Sequence, residues 1–230
     1  VQMSLFDEHR AERRGRILDA ARRLVADRAY EGLTMRDLAR AAKVSVPTLY
    51  NLFGSKDAIL VTELEAMTAA IARALPTTGE SFLQRGMAAF DAGMAILEAS
   101  PAFFRAVMQM FLTSPETSDA RRRVELGFVV IMEATLRAAK DAGQLAEWAE
   151  PTIIARHMYM QSCAGFMAWS LGEVDFATFR AMTLSGHAHL LAGVARGAFA
   201  AEVEAAIKHL ITPLQHLIAQ EEARHVATRR

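Results

Sequence analysis

The side chains best suited to chemistry in this 230-residue chain lie between Thr34 and Lys56. Thr34, Arg36, Ser45, Thr48, Tyr50, Asn51 and Lys56 can all donate hydrogen bonds, which suits phosphate oxygens and the acceptor-rich edges of base pairs. Their spacing then fixes the elements that must carry them. Thr34 and Ser45 each stand just before an apolar-periodic run, where a hydroxyl accepts a hydrogen bond from an orphan backbone N–H, so helices are expected to begin near Met35 and Val46. Leu38, Val44, Leu49, Leu52 and Phe53 supply a shared apolar core, while Ala39 and Ala42 allow the two helices to approach closely. Arg36, Arg40, Lys43, Thr48, Tyr50, Asn51 and Lys56 are left facing outward. A helix, a tight turn and a second short helix over residues 34–53, with a donor-rich outer face, predicts a unit that lays its second helix in a DNA major groove.

These residues resemble the TetR family of one-component transcriptional regulators. The match consists of Thr34 through Ala39, Val44-Ser45, Thr48-Leu49-Tyr50, Phe53 and Lys56, preceded by an amphipathic helix ending near Tyr30-Glu31-Gly32-Leu33. Two positions depart from the family pattern. Lys43 occupies the turn position where glycine is usual, and a left-handed backbone there would cost about 1–2 kcal/mol; Asn51 stands where an aromatic or histidine is common. The resemblance implies that Val46, Pro47, Thr48 and Asn51 face base edges and that Arg36 reaches a guanine or a phosphate. Thr34, Tyr50 and Lys56 would hold phosphates and fix register, with Ser45 completing the DNA-binding set.

Net charge is zero over the whole chain, but its distribution is uneven: from His9 to Lys56 there are 11 Lys and Arg against 5 Asp and Glu, or +6, leaving −6 for the rest. A basic head on an acidic body suits local phosphate binding by counterion release and discourages the body from sticking to DNA. Hydrophobic residues make up 52%, which excludes a disordered chain. No apolar run reaches the ~18 residues of a membrane span, so no membrane partner is expected. The first residues lack the apolar block of a secretory signal and the single Cys163 has no internal disulfide partner, which together predict cytoplasmic residence.

The elements around the motif read as helices throughout. Ile17, Ala20, Ala21, Leu24 and Val25 predict a first helix over residues 10–29 that braces the reading unit. Ser55 can cap a connecting helix from Lys56 to Leu75, ended by Pro76. Beyond it, Thr77 with Glu80 reads as a capping box, and Ser100-Pro101, Ser114-Pro115 and Glu150-Pro151 read as a cap before a first-turn proline. Helices are expected over 78–99, 101–113, 116–142, 151–171, 175–196 and 199–220, with stops at Gly143 and Gly172 and a kink or division at Pro213. The expected organisation is a three-helix DNA-binding domain (1–56), a connecting helix (57–75) and a larger helical ligand-binding and dimerisation domain (76–230), an all-α fold.

Methionines and aromatics concentrate between residues 82 and 169, and a Met-rich interior can reshape around apolar guests. With the resemblance, whose members bind small molecules between the middle helices, Phe90, Met94, Phe104, Met108, Phe128, Met132, Gln161 and Phe166 are candidates to line a cavity. The polar handles nearby are Arg105, Gln109, His157, Tyr159, Gln161 and Cys163, which favours a small, mostly apolar effector. Phe179, Met182, Leu190, Val194, Val203 and Ile207 are candidates for a homodimer interface, and a two-fold dimer would present two heads to a palindromic double-stranded operator.

No enzyme signature appears: there is no Gly-rich phosphate loop, no Gly-x-Ser-x-Gly elbow and no Cys-x-x-Cys pair. His187 and His189 point about 200° apart on a helix, and His209 and His216 are about 10 Å apart along one, so neither pair holds a metal. No cofactor or metal is expected. The reading is a DNA-binding regulator that represses transcription and leaves its operator when a small apolar effector tilts the helix from Lys56 to Leu75. A metal- or thiol-responsive sensor, and a helical small-molecule-binding protein acting without DNA, are the alternatives.

Overall fold

The structure, a computed structural model, describes the backbone of residues 5–28, 32–74 and 81–228. Among these residues ten α-helices follow one another: α1 (Leu5–Arg28), α2 (Met35–Ala42), α3 (Val46–Phe53), α4 (Lys56–Ala74), α5 (Phe82–Glu98), α6 (Pro101–Thr113), α7 (Ser118–Asp141), α8 (Pro151–Leu171), α9 (Phe176–Ala192) and α10 (Gly197–Thr228). Among the described residues there is no strand, only an isolated antiparallel bridge between Leu145 and Ala195. The class is all-α, as expected.

Local chemistry accounts for most helix ends. Ser81 opens α5 with a reciprocal capping box, its hydroxyl accepting from the Gln84 N–H at 3.2 Å while the Gln84 side chain accepts from the Ser81 N–H at 3.1 Å. The box expected at Thr77 and Glu80, and the stop expected at Pro76, lie outside the described residues. Ser100, Ser114 and Glu150 make no side-chain capping bond. At these starts proline replaces the cap, because it has no N–H to satisfy and its φ is preset for the first helical turn. Ser114-Pro115 opens only a short 3-10 turn, and α7 starts at Ser118. Gly143 and Gly172 take positive φ (71° and 79°), as helix-stopping glycines do.

Pro213 does not divide the last segment: α10 runs through it to Thr228. Side-chain bonds hold its far end. The Glu221 carboxylate accepts from the Asp175 N–H at 2.8 Å and Arg224 pairs with the Asp175 carboxylate at 2.7 Å, fastening α10 to the residue that caps α9.

Two apolar cores fill the molecule. One begins with Ile17, Leu38 and Leu49 of the head, passes through Ile59 and Leu64 of α4 and Phe103, Val107 and Phe111 of α6, and ends at Trp169 and Phe179. The other joins α7, α8, α9 and α10 around Leu136, Ala155, Leu191 and Val203. The first core crosses the expected boundary at residues 56/57 without a break, because α6 packs against α1 and α4 on one side and α8 on the other.

Candidate nucleic-acid interface and body cavity

The helix-turn-helix is set by its caps. Thr34 is extended (φ −117°, ψ 154°), and its hydroxyl accepts from the Asp37 N–H at 3.1 Å and donates to the Asp37 carboxylate at 2.6 Å. Ser45 repeats the device, accepting from the Thr48 N–H at 3.2 Å with its hydroxyl 2.7 Å from that of Thr48. Between them the chain reverses at Lys43, which adopts φ 54°, ψ 48°. The left-handed turn that the sequence left conditional is therefore present, and it is the one positive φ outside glycine among the described residues.

Packing decides which side chains of this unit face outward. Of the eight residues of α3, Leu49 alone is buried. Pro47, Asn51 and Tyr50, the last 51% exposed, face away from the molecule, while Val46, Thr48, Leu52 and Phe53 are half-buried. Arg36 and Thr34 are exposed beside them, and Lys56 starts α4 next to Ser55, whose hydroxyl caps that helix through the Ala58 N–H at 3.0 Å. Sequence reasoning missed Arg14 as a brace. Its guanidinium donates to the Leu52 carbonyl at 2.9 Å and lies 4.3 Å from the centre of the Phe53 ring, so a cation meets the carbonyl end of α3 and ties it to α1. Arg10, Arg13 and Arg16 stay exposed on α1.

Behind the head, α4, α5, α6, α7, α8 and α9 line a cavity of about 150 Å³. Phe90, Met94, Met108, Phe128, Met132 and Phe166 line it, as expected, together with Leu64 of α4. Two expected residues do not. Phe104 is buried edge-on against Phe103 in the core. Gln161 instead turns toward α9, where its amide donates to the Met182 carbonyl at 3.4 Å. The polar lining consists of Tyr159, Ser162, Cys163 and His187. Burial pushes both the Tyr159 hydroxyl and the Cys163 thiol up from their ordinary values, so both are neutral at pH 7. His187 is pushed down by burial. Its Nε2–H donates to the Met158 carbonyl at 3.1 Å, beside the Ser162 hydroxyl at 3.1 Å, leaving Nδ1 as the ring's acceptor. No pattern of residue types marks His187 as a cavity residue, because a histidine among small residues of an apolar helix looks the same whether it faces in or out. Among the described residues no three His, Cys, Asp or Glu side chains converge where a metal could sit, and no single helix is long and apolar enough to cross a membrane.

Residues 17–62 match the model for bacterial regulatory proteins of the tetR family, a span running from α1 through the motif into α4. Over that span the chain is similar to the TetR family. Among curated relatives, the transcriptional activator FasR of Mycolicibacterium smegmatis is 32% identical over 114 residues, covering 47% of this chain and 52% of FasR. The transcriptional repressor KstR of the same organism is 43% identical over 63 residues, covering 27% of this chain and 31% of KstR. The matches thus span about half of one relative and a third of the other. Two solved structures share the fold over a longer stretch. SmeT, the repressor of the Stenotrophomonas maltophilia multidrug efflux pump SmeDEF, superposes with a TM-score of 0.63 at 21% identity, covering 81% of this chain and 92% of SmeT. TylP of Streptomyces fradiae does so at 0.61 and 21% identity, covering 92% and 98%.

Within this fold the residues expected at a dimer face are mostly internal. Phe179, Val194 and Val203 are buried inside the protomer, and Leu190 and Ile207 are half-buried against the second core. The reason is that α9 packs against both α8 and α10, so the facing sides of these elements are covered within the protomer. Only Met182 of the six is exposed, at 47%. Other large apolar side chains that face outward lie on α7 (Leu126, Val130), on α8 (Ile153, Met160, Leu171), on α10 (Ile211, Ile218) and at Trp148.

Proposed function

We propose that this chain is a sequence-specific DNA-binding transcriptional regulator, a repressor that leaves its operator when a small, mostly apolar effector enters the body cavity. The observation that carries the reading is the face of α3: one buried residue, Leu49, anchors it while Pro47, Tyr50 and Asn51 stand clear. Pro47, Thr48, Asn51 and the edge of Val46 would meet base edges, Arg36 a guanine or a phosphate, and Thr34, Ser45, Tyr50 and Lys56 the backbone.

Two heads on a palindromic operator require a second copy. Ile153 and Met160 are seven residues apart on one side of α8 and are 54% and 66% exposed, with Met182 of α9 alongside. A second copy seated there would cover these side chains about a two-fold axis. The domain assignment follows the same logic, with residues 1–56 reading DNA, 57–75 connecting, and 76–230 binding ligand and partner.

Release follows from which helices touch both ends. Leu64 of α4 and Met108 and Phe111 of α6 form cavity wall, and both helices also pack against α1. An effector that spreads the wall moves α4 and α6 and with them the head, so the two reading helices no longer match major grooves one helical turn, about 34–36 Å, apart.

Operator binding titrated against salt tests the DNA role. Lys56→Ala should flatten the salt slope by about one unit on every sequence, and Asn51→Ala should relax preference at one base pair at a cost of about 1–3 kcal/mol on the favoured site. An unchanged slope for the first, with equal losses on all sites for the second, would refute these assignments.

A further inference from the structure

The first turns of α1 overhang the head. Burial on this helix begins at Ile17 and continues through Ala20, Ala21 and Val25, whereas His9 through Arg13 are all exposed. Arg10, Arg13 and Arg14 stand seven, four and three residues before Ile17, so they prolong the stripe that faces the core, with cations in place of apolar side chains. Arg14, the last of the three, is pinned at the carboxyl end of α3 by its bond to the Leu52 carbonyl and its contact with the Phe53 ring. Arg10 and Arg13 lie on the turn before it and make no hydrogen bond or ion pair among the described residues. Glu12 and Asp19, five residues before Ile17 and two after it, fall on the opposite side of the helix, and Asp19 is taken up by Arg22. Among the described side chains the stripe therefore carries uncompensated positive charge.

We propose that this overhang is a second DNA-contacting element, in which Arg10 and Arg13 bind phosphates beside the groove entered by α3. The proposal rests on the DNA-binding reading and extends its contact surface beyond the helix-turn-helix. Lys56, assigned to a phosphate, follows the last residue of α3 by three positions, and Arg14 meets that same end of α3. The overhang thus continues outward from a point that the DNA backbone already reaches. From Arg14 back to Arg10 the helix rises about 6 Å, or about two base-pair steps of duplex. A guanidinium without a carboxylate has no ion pair to give up before it meets a phosphate, and a phosphate contact reads no base, so the gain is the same on every sequence.

The test is binding of the full-length protein to a fluorescent mixed-sequence DNA duplex, followed by anisotropy from about 50 to about 200 mM sodium chloride, where phosphate contacts set the salt dependence. Arg10→Gln combined with Arg13→Gln should flatten the slope of log affinity against log salt by about 1.8 units per bound head, which is about a twelvefold smaller loss over that range. Arg10→Lys combined with Arg13→Lys should keep the wild-type slope, because an ammonium also neutralises a phosphate. Arg23→Gln combined with Arg122→Gln removes the same charge from exposed positions off the stripe and should move the slope by less than ~0.5 units. All these side chains lie outside the cores, so melting curves should match the wild type. An unaltered slope in the Arg10 and Arg13 glutamine pair, or an equal fall in the Arg23 and Arg122 pair, would overturn the proposal. Lys56→Ala separates that result from the DNA reading itself. A slope flattened by Lys56→Ala but not by the Arg10 and Arg13 pair removes only the overhang, whereas a wild type that binds no duplex at the lowest salt removes both.

Discussion

At the scale of single residues, Lys43 and His187 are both held in states that an unfolded chain would not favour. Lys43 carries φ 54° with an L side chain, so part of the folding energy of the head holds a conformation that glycine adopts freely. Lys43→Gly should stabilise the protein by about 0.5–1 kcal/mol, the relief of strain outweighing the greater freedom of glycine in the unfolded state. The check is an upward shift of the urea midpoint at constant slope. His187 is neutral in the fold because burial depresses its affinity for a proton. Below its unfolded value near 6.5 the unfolded chain takes up a proton that the native one refuses, so stability should fall as pH drops from about 6.5 toward 5 and be insensitive to this group above 7. Melting curves for His187→Gln should lose that part of the acid limb; an unaltered limb would assign it to other groups.

At the scale of elements, the hydroxyl caps define the reading unit. Ser45→Ala removes the acceptor for the Thr48 N–H and leaves the Thr48 hydroxyl without its 2.7 Å partner. The expected loss is about 1 kcal/mol in stability, read by chemical denaturation, with DNA binding weakened because the start of α3 frays. Such ends were legible from sequence because capping is local: Thr34, Ser45 and Ser55 act on N–H groups three residues away. Faces were harder to read. Phe104 and Phe111 are two turns apart on α6, and since that helix has apolar neighbours on several sides, periodicity cannot tell the residue that lines the cavity from the one that fills the core. The burial of Phe179, Val194 and Val203 was equally hard to read, because the residues packed on them come from other elements. The continuation of α10 to Thr228 was hidden for another reason, since Glu221 and Arg224 reach Asp175, a partner about fifty positions away in the chain.

At the scale of the whole molecule, the exposed apolar stripe on α8 predicts assembly. Met160→Asp should shift the protein from dimer to monomer in sedimentation velocity and reduce operator affinity by well over tenfold, with the α-helical circular-dichroism spectrum unchanged. A dimer that survived the substitution would move the interface to another face. The apolar core that runs from Ile17 through α6 to Phe179 also bears on how such a protein can evolve. Because head and body share one block of buried side chains, a graft of this head onto a foreign body would leave Val107 and its neighbours facing a mismatched partner. New operator preferences are therefore more readily acquired by changing exposed positions such as Asn51 than by exchanging the amino-terminal helices wholesale.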